Sequence, residues 1–175
     1  MSNYIKNIIN RSHYRFFLGL LVRIKRYIIN TYTIWLARKN GVKIDKNVTI
    51  PYKLAKKANR NLNIGDNTSI QSHLIDLRIP IYIGNNVIIG SGVEIITVSH
   101  NVDSIEWEHK YYGIEIQDFT WSATRAFILP SCRFIGYGSV VAAGAVVFKN
   151  VNSMKIVSGN PAQILRKREN IHSNL

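Results

Sequence analysis

His100 closes a regular apolar rhythm in the stretch VEIITVSHNVDSIEWEHKYYGIEIQDFTW, residues 93–121, and the residues directly after it are mostly polar, acidic or aromatic. An imidazole titrates near neutrality, so a histidine beside a bound alcohol can remove its proton as the oxygen attacks. A histidine at a strand end also serves purely structural roles. His100 stands at the edge of the one long break in the pattern, and functional residues concentrate on loops held by rigid scaffolds. Within that break Trp107, Tyr111 and Tyr112 offer apolar ring faces on which a sugar could stack, although aromatics in a loop also form local mini-cores and subunit contacts. Asp103, Glu106, Glu108 and His109 fit no standard ligand spacing, so no metal is expected. The single cysteine, Cys132, excludes an internal disulfide and a cysteine metal cluster. Its place in the repeat makes it a core residue rather than a nucleophile, and no Ser-His-Asp order is apparent.

The element that must position these groups is a repeat of period six. IGDNTS begins at Ile64; IGNNVI, IGSGVE and IITVSH begin at Ile83, Ile89 and Ile95; IGYGSV, VAAGAV and VFKNV begin at Ile135, Val141 and Val147. The first position is Ile or Val, the second often Gly, and the fifth small or β-branched. Six matches no helical period. It suits short strands joined by tight turns, with β-branched residues on a half-buried surface and Gly or Asn in unusual backbone conformations. Stacked parallel strands then bury one apolar residue per strand in a central column. The spacing therefore predicts a parallel β-helix. The phase slips at 71–82 and 97–134, where loops or corner changes are expected.

Charge divides the chain. The formal net charge is +13, and residues 1–60 carry all of that excess, with 14 Lys/Arg against the lone acid Asp45. Residues 61–175 are balanced, with nine of each sign. A neutral body with a basic N-terminus is not the footprint of a nucleic-acid-binding domain, and no nucleic-acid partner is expected. Within residues 1–40, Phe17, Leu21, Ile24 and Ile28 recur at helical spacing and Ile34/Trp35 continue the stripe, with Arg15, Arg23, Lys25 and Arg26 on other faces. One reading is one or two helices packing on their own protein. The other is a basic amphipathic helix, residues 1–38, lying on an anionic membrane. The longest uncharged run, Tyr27 to Ala37, is far short of the roughly 20 residues that cross a bilayer. No secretory cleavage pattern follows it, and the single cysteine suits a reducing, cytoplasmic setting.

The repeats, with TWSATRAFILP and the tail GNPAQILRKR, resemble the hexapeptide-repeat acyltransferases. The likeness is greatest for the branch of maltose/galactoside acetyltransferases and colanic-acid-type exopolysaccharide O-acetyltransferases, and it covers roughly residues 41–168. The resemblance implies a left-handed β-helix over residues 41–160, with loop 101–115, a basic helical segment over 1–40 and a short C-terminal helix or tail over 161–175. It implies a homotrimer with active sites between subunits, acetyl-CoA as co-substrate and no metal. His100 matches the family's catalytic base. Thr124, Ala143, Phe148, Lys149, Gln163 and Arg166 match donor contacts. Asp76 matches an aspartate of the exopolysaccharide branch, where it would hold an acceptor hydroxyl or orient the base; its plain alternative is a turn residue. Trp121 matches a tryptophan that lines the pocket or is buried. Trp-Ser-Ala replaces Trp-Ile-Gly here, Phe148 stands where Thr is common, and Gln163 stands where Arg is common, leaving Arg166, Lys167 and Arg168 as phosphate partners.

The implied function is acetyl-CoA-dependent O-acetylation of a saccharide, a precursor of polysaccharide, O-antigen or capsule, by direct transfer in a ternary complex. Acceptor contacts would come from Asp76, Trp107, Tyr111, Tyr112 and Trp121. N-acetylation of an amino-sugar nucleotide or antibiotic is the alternative on the same scaffold, and a non-catalytic β-helix scaffold is the alternative from another class.

Overall fold

Isoleucine or valine at every sixth position buries a column, and the residues between make turns. The computed structural model describes residues 13–169; residues 1–12 and 170–175, with the start of the expected basic segment and the end of the expected C-terminal helix, lie outside the described residues. Helix α1 (His13–Lys39) is followed by β1 (Lys43–Ile44) and a short α2 (Tyr52–Lys57). Then come β2 (Leu62–Ile64) and β3 (Ser69–Ile70), and a coil of β4 (Ile81–Ile83), β5 (Ile88–Ile89) and β6 (Glu94–Ile95). A hairpin of β7 (Val98–His100) and β8 (His109–Tyr111) interrupts the winding. It resumes with β9 (Ile114–Ile116), β10 (Trp121–Ser122) and β11 (Phe127–Ile128), then β12 (Phe134–Ile135), β13 (Val140–Val141) and β14 (Val146–Val147). Strands β15 (Lys155–Ser158) and β16 (Gln163–Lys167) end the described chain.

Strands at the same place in successive coils join the same sheet, giving β1-β2-β4-β9-β12, β3-β5-β10-β13-β15-β16 and β6-β11-β14. Pairing between coils is parallel and in register. One inner column is therefore Ile44, Ile64, Ile83, Ile116 and Ile135, and a second is Ile95, Ile128 and Val147. All are buried. Each such side chain contributes about 1.5–3 kcal/mol by leaving water. The third column runs Ile70, Ile89, Ser122, Val141 and Val157, with a serine in the middle.

The turns follow a second rule. The fourth residue of the period adopts left-handed backbone, at Asn47, Asn67, Asn86, Gly92, Gly138 and Gly144. Asn and Gly tolerate that region at low cost. Phe119, Arg125 and Met154 adopt it too, at φ 57–59°. The third residue caps the coil beneath it: the Asp66 N–H donates to Asn85 Oδ1 and the Asn85 N–H to Asp118 Oδ1, each at 2.7 Å. At the second-position glycines an added Cβ would meet the neighbouring coil. A Cβ on Gly136 would lie 2.5 Å from the Ser153 backbone nitrogen.

The chain separates into two compact units, Met1–Tyr32 and Thr33–Leu175. The first is described from His13 as one continuous helix, with Phe17, Leu21, Ile24 and Ile28 exposed. In the second, Thr33 and Ala37 on the last turns of α1 are buried. Gly41, at φ 91°, ends the helix there: the Gly41 N–H donates to the Arg38 carbonyl and the Val42 N–H to the Ala37 carbonyl.

Three sequence expectations are corrected. Residues 163–167, expected to begin a C-terminal helix, form strand β16, antiparallel to β15. Left-handed Gly159 precedes the reversal, and the returning segment satisfies the open edge of β15, a tertiary gain that overrides the helix propensity of QILRK. The segment 101–115 is not loop throughout, since β8 returns at His109 and β9 starts the next coil at Ile114. The phase slip given to 97–134 likewise spans a full coil: Ile116, Ser122 and Ile128 are six apart and all inward.

Replacing Gly136 by Ala should force the coil edge apart and cost about 1–3 kcal/mol. A fall in melting temperature of several degrees, read by calorimetry, is expected; an unchanged melt would show that the coils can spread freely.

Candidate functional site

The hairpin is what the β-helix wall adds to itself. β7 and β8 pair antiparallel with His100 opposite His109, Ser99 opposite Lys110 and Val98 opposite Tyr111. The Asn101 N–H donates to the Glu108 carbonyl and the Tyr112 N–H to the Thr97 carbonyl, each at 2.8 Å. Hydrogen-bonded pairs alternate along such a ribbon, so His100 and His109 form a close, non-hydrogen-bonded pair on one face. Their ring centroids are 4.5 Å apart, and the Tyr111 ring lies 6.0 Å from His109, inclined at 26°.

His100 is exposed, and its Nδ1 is hydrogen-bonded to the Trp107 carbonyl. A carbonyl oxygen only accepts, so Nδ1 carries the proton. In the neutral ring Nε2 then keeps its lone pair, which is the tautomer a general base needs. Trp107 delivers that carbonyl from a left-handed backbone, φ 52°, at the end of a turn in which its N–H reaches the Ser104 carbonyl. Its own indole is exposed.

Asp76 sits at the root of the hairpin. Its carboxylate accepts from Arg78 Nε at 2.9 Å and Arg78 Nη2 at 2.8 Å, and from the Thr97 N–H at 3.3 Å. Partial burial raises its pKa, but these hydrogen bonds outweigh burial and hold the carboxyl down at about 2. The hydrogen-bonded Asp76 carboxylate in turn raises the pKa of the Arg78 guanidinium above its ordinary value. The bonds of Asp76 go to Arg78 and Thr97, while His100 is oriented by Trp107. Tyr112 is half-buried, with the Arg133 guanidinium 5.4 Å from its ring.

The other candidates occupy two corners and one edge. Thr124 and Ala143 stack at the same turn of successive coils, joined by the Gly144 N–H donating to the Thr124 carbonyl at 3.0 Å. Both are exposed, beside the small residues Ala142 and Gly144. Phe148 and Lys149 are exposed at the corner after β14, and Gln163 and Arg166 are exposed on β16. Trp121 is neither buried nor on the hairpin: it is 47% exposed and points outward between Ile88 and Val140. Cys132 is buried in the core, which pushes its thiol up to about 11. Among the described residues no group of three or more His, Cys, Asp or Glu could hold a metal ion. An open groove of about 740 Å³ on the β1-β2-β4-β9 face, lined by Tyr82, Asn85, Glu115 and Asp118, contains none of these candidates.

Two neighbours of the site escaped the sequence reading as site residues. His109 has no motif, and its partnership with His100 depends on hairpin register. Arg78 is two residues from Asp76, a spacing that could have suggested a bidentate pair.

The chain is similar to known proteins over this same region. It is 31% identical over 143 residues to the protein provisionally named colanic acid biosynthesis acetyltransferase WcaF of Escherichia coli (strain K12), covering 81% of this chain and 78% of that relative. It is 30% identical over 116 residues to a galactoside O-acetyltransferase of Lactococcus lactis, covering 63% of this chain and 49% of that relative. A hexapeptide-repeat-containing acetyltransferase of Vibrio cholerae, solved with acetyl coenzyme A, is similar with a TM-score of 0.64 and 27% identity, covering 85% of this chain and 79% of that one. The chain spans about half the length of other curated relatives it matches, 44%, 56% and 49%. No family model matches it.

The Asp76 arrangement makes a pH prediction. Its pKa is about 2 in the fold against the usual 3.8, so its contribution is complete above about pH 3.8 and is lost as pH falls through 2. Asp76→Asn should lower the urea midpoint at neutral pH and flatten the acid-unfolding curve across that window. A variant curve that superimposes on the parent's would mean the Arg78 and Thr97 bonds add nothing to stability.

Proposed function

We propose, from the premise that this chain belongs to the hexapeptide-repeat acyltransferases, that it transfers an acetyl group from acetyl-CoA to a saccharide hydroxyl with His100 as the general base. The observation that carries this reading is the Nδ1 hydrogen bond to the Trp107 carbonyl, which leaves Nε2 of an exposed imidazole free to take a proton. His100 Nε2 removes the hydroxyl proton as the oxygen attacks the thioester carbonyl, forming the C–O bond. The imidazolium then returns that proton to the departing sulfur as the C–S bond breaks. No acyl-enzyme is required, and the buried Cys132 has no part in the sequence.

The acceptor class rests on the galactoside and colanic-acid relatives and on the aromatic rings that share the hairpin with the base, with Trp107 and Tyr111 both exposed. A polysaccharide, O-antigen or capsule precursor is the proposed acceptor. Asp76 and Arg78 brace the hairpin root in this reading and can still meet acceptor hydroxyls at their exposed edges. Thr124, Ala143, Phe148, Lys149, Gln163 and Arg166 form the proposed donor contacts. They lie on separate corners and an edge, an arrangement consistent with a left-handed β-helix that shares each donor groove with its neighbour in a homotrimer. The exposed, outward-facing Ile88 and Trp121, paired on adjacent strands, supply a face suited to that association. The proposed setting is cytoplasmic, at the inner membrane face where lipid-linked acceptors reside; no helix among the described residues is long and apolar enough to cross a membrane.

Thiol release from acetyl-CoA, with a saccharide panel, tests the reading. His100→Ala should lower kcat by about 10²–10⁴-fold while leaving the KM for acetyl-CoA unchanged; full activity in that variant would remove His100 from the mechanism. Trp121→Asp should convert trimers to smaller species in sedimentation velocity and lose transfer with them. A trimer that survives this change would place the subunit contact elsewhere.

A further inference from the structure

Helix α1 carries a surface that acyl transfer does not use. At 100° per residue, the exposed Tyr27, Val22 and Ile29 mark out an apolar arc of about 220°, and inside it lie Phe17, Leu18, Leu20, Leu21, Ile24 and Ile28. All six are exposed. The remaining arc holds Arg15, Arg23 and Arg26, also exposed, and Lys25 interrupts the apolar side. The first acid in the chain is Asp45, beyond the helix end.

These features select one occupant. A second copy of the helix would bring the same positive charge with no carboxylate to meet it, and the apolar arc is wider than the narrow seam of paired helices. Among the described residues no helix is long and apolar enough to cross a bilayer. Wide apolar coverage with a narrow basic face suits a helix lying in the plane of a lipid surface, with acyl chains beneath and anionic headgroups beside the arginines. The stem of Lys25 can lie along the apolar side while its ammonium reaches the headgroups.

We propose that α1 is an in-plane anchor for an anionic bilayer, and that the protein works at that surface. The anchor does not rest on the acyl-transfer reading.

The full chain should co-sediment with vesicles of phosphatidylcholine and phosphatidylglycerol, bind phosphatidylcholine alone far more weakly, and be released by alkaline carbonate. Substituting Arg15, Arg23 and Arg26 together by Gln should reduce partitioning roughly a hundredfold. Leu21→Asp with Ile28→Asp should weaken it comparably, with circular dichroism reporting whether the helix persists. His100→Ala should bind as the parent does, so loss of transfer and loss of anchoring separate. The anchor is overturned if the parent ignores phosphatidylglycerol vesicles, or if the arginine substitutions leave binding unchanged. It is equally overturned if carbonate fails to release the protein, the result of a spanning helix. A parent that ignores vesicles while the Leu21/Ile28 variant changes oligomeric mass would assign the face to contact between copies.

Discussion

The in-register stacking of one coil on the next is the constraint from which the rest of the structure follows. Parallel strands lie about 4.8 Å apart, so any residue facing along the axis must fit that gap. Gly136 does so by having no Cβ, against the Ser153 nitrogen. Asp66, Asn85 and Asp118 do so by reaching across it to cap the next backbone N–H. The same spacing places Ile44, Ile64, Ile83, Ile116 and Ile135 in one unbroken column. Hydrogen bonding, packing and turn geometry thus depend on a single repeat distance, and none can change locally without the others.

A wall built this way offers the same groups on every coil, so it supplies backbone and small side chains along a groove but no unique chemistry. Uniqueness requires the chain to leave the wall, and the departure must be secured at its root. Asp76 performs that task in one coil by accepting from Thr97 in the next, immediately before β7 begins. Tyr112 closes the other strand back onto Thr97 and lies against Arg133. The hairpin is therefore anchored on both strands before it presents any side chain.

The parts of this design visible in the sequence are those that repeat. Ile-Gly at 64, 83, 89 and 135 disclosed the coils, and the break after His100 disclosed the excursion. The coil from Ile114 to Leu129 was hidden, because Ser122 takes an inward position reserved elsewhere for Ile or Val, and Gln117 and Ala123 replace the second-position glycine. Once its neighbours are stacked, register compels a serine as firmly as an isoleucine. Strand β16 was hidden for the converse reason: nothing local in QILRK favours a strand, and only the open edge of β15 makes it one. The candidate base was legible, but its partners were not. The Trp107 carbonyl, the His109 ring and the Arg78 guanidinium acquire their roles through a hairpin register and a coil contact that no spacing encodes.

That last arrangement ties two properties usually treated apart. The carbonyl that fixes the His100 tautomer belongs to Trp107, whose indole is exposed on the same excursion as the proposed acceptor contacts. Its position depends on the turn from Asn101 to Glu108 and on the left-handed backbone at Trp107 itself. A substitution that reshapes this turn to admit a different sugar also moves the carbonyl. If Nδ1 loses that acceptor, the ring can carry its proton on Nε2, and the base is lost without any change at His100. Acceptor recognition and basicity are in this way coupled through one peptide group. Diversification of the acceptor is then least costly at side chains that leave the turn intact, such as the Trp107 indole and Tyr111, and most costly at the backbone that carries them.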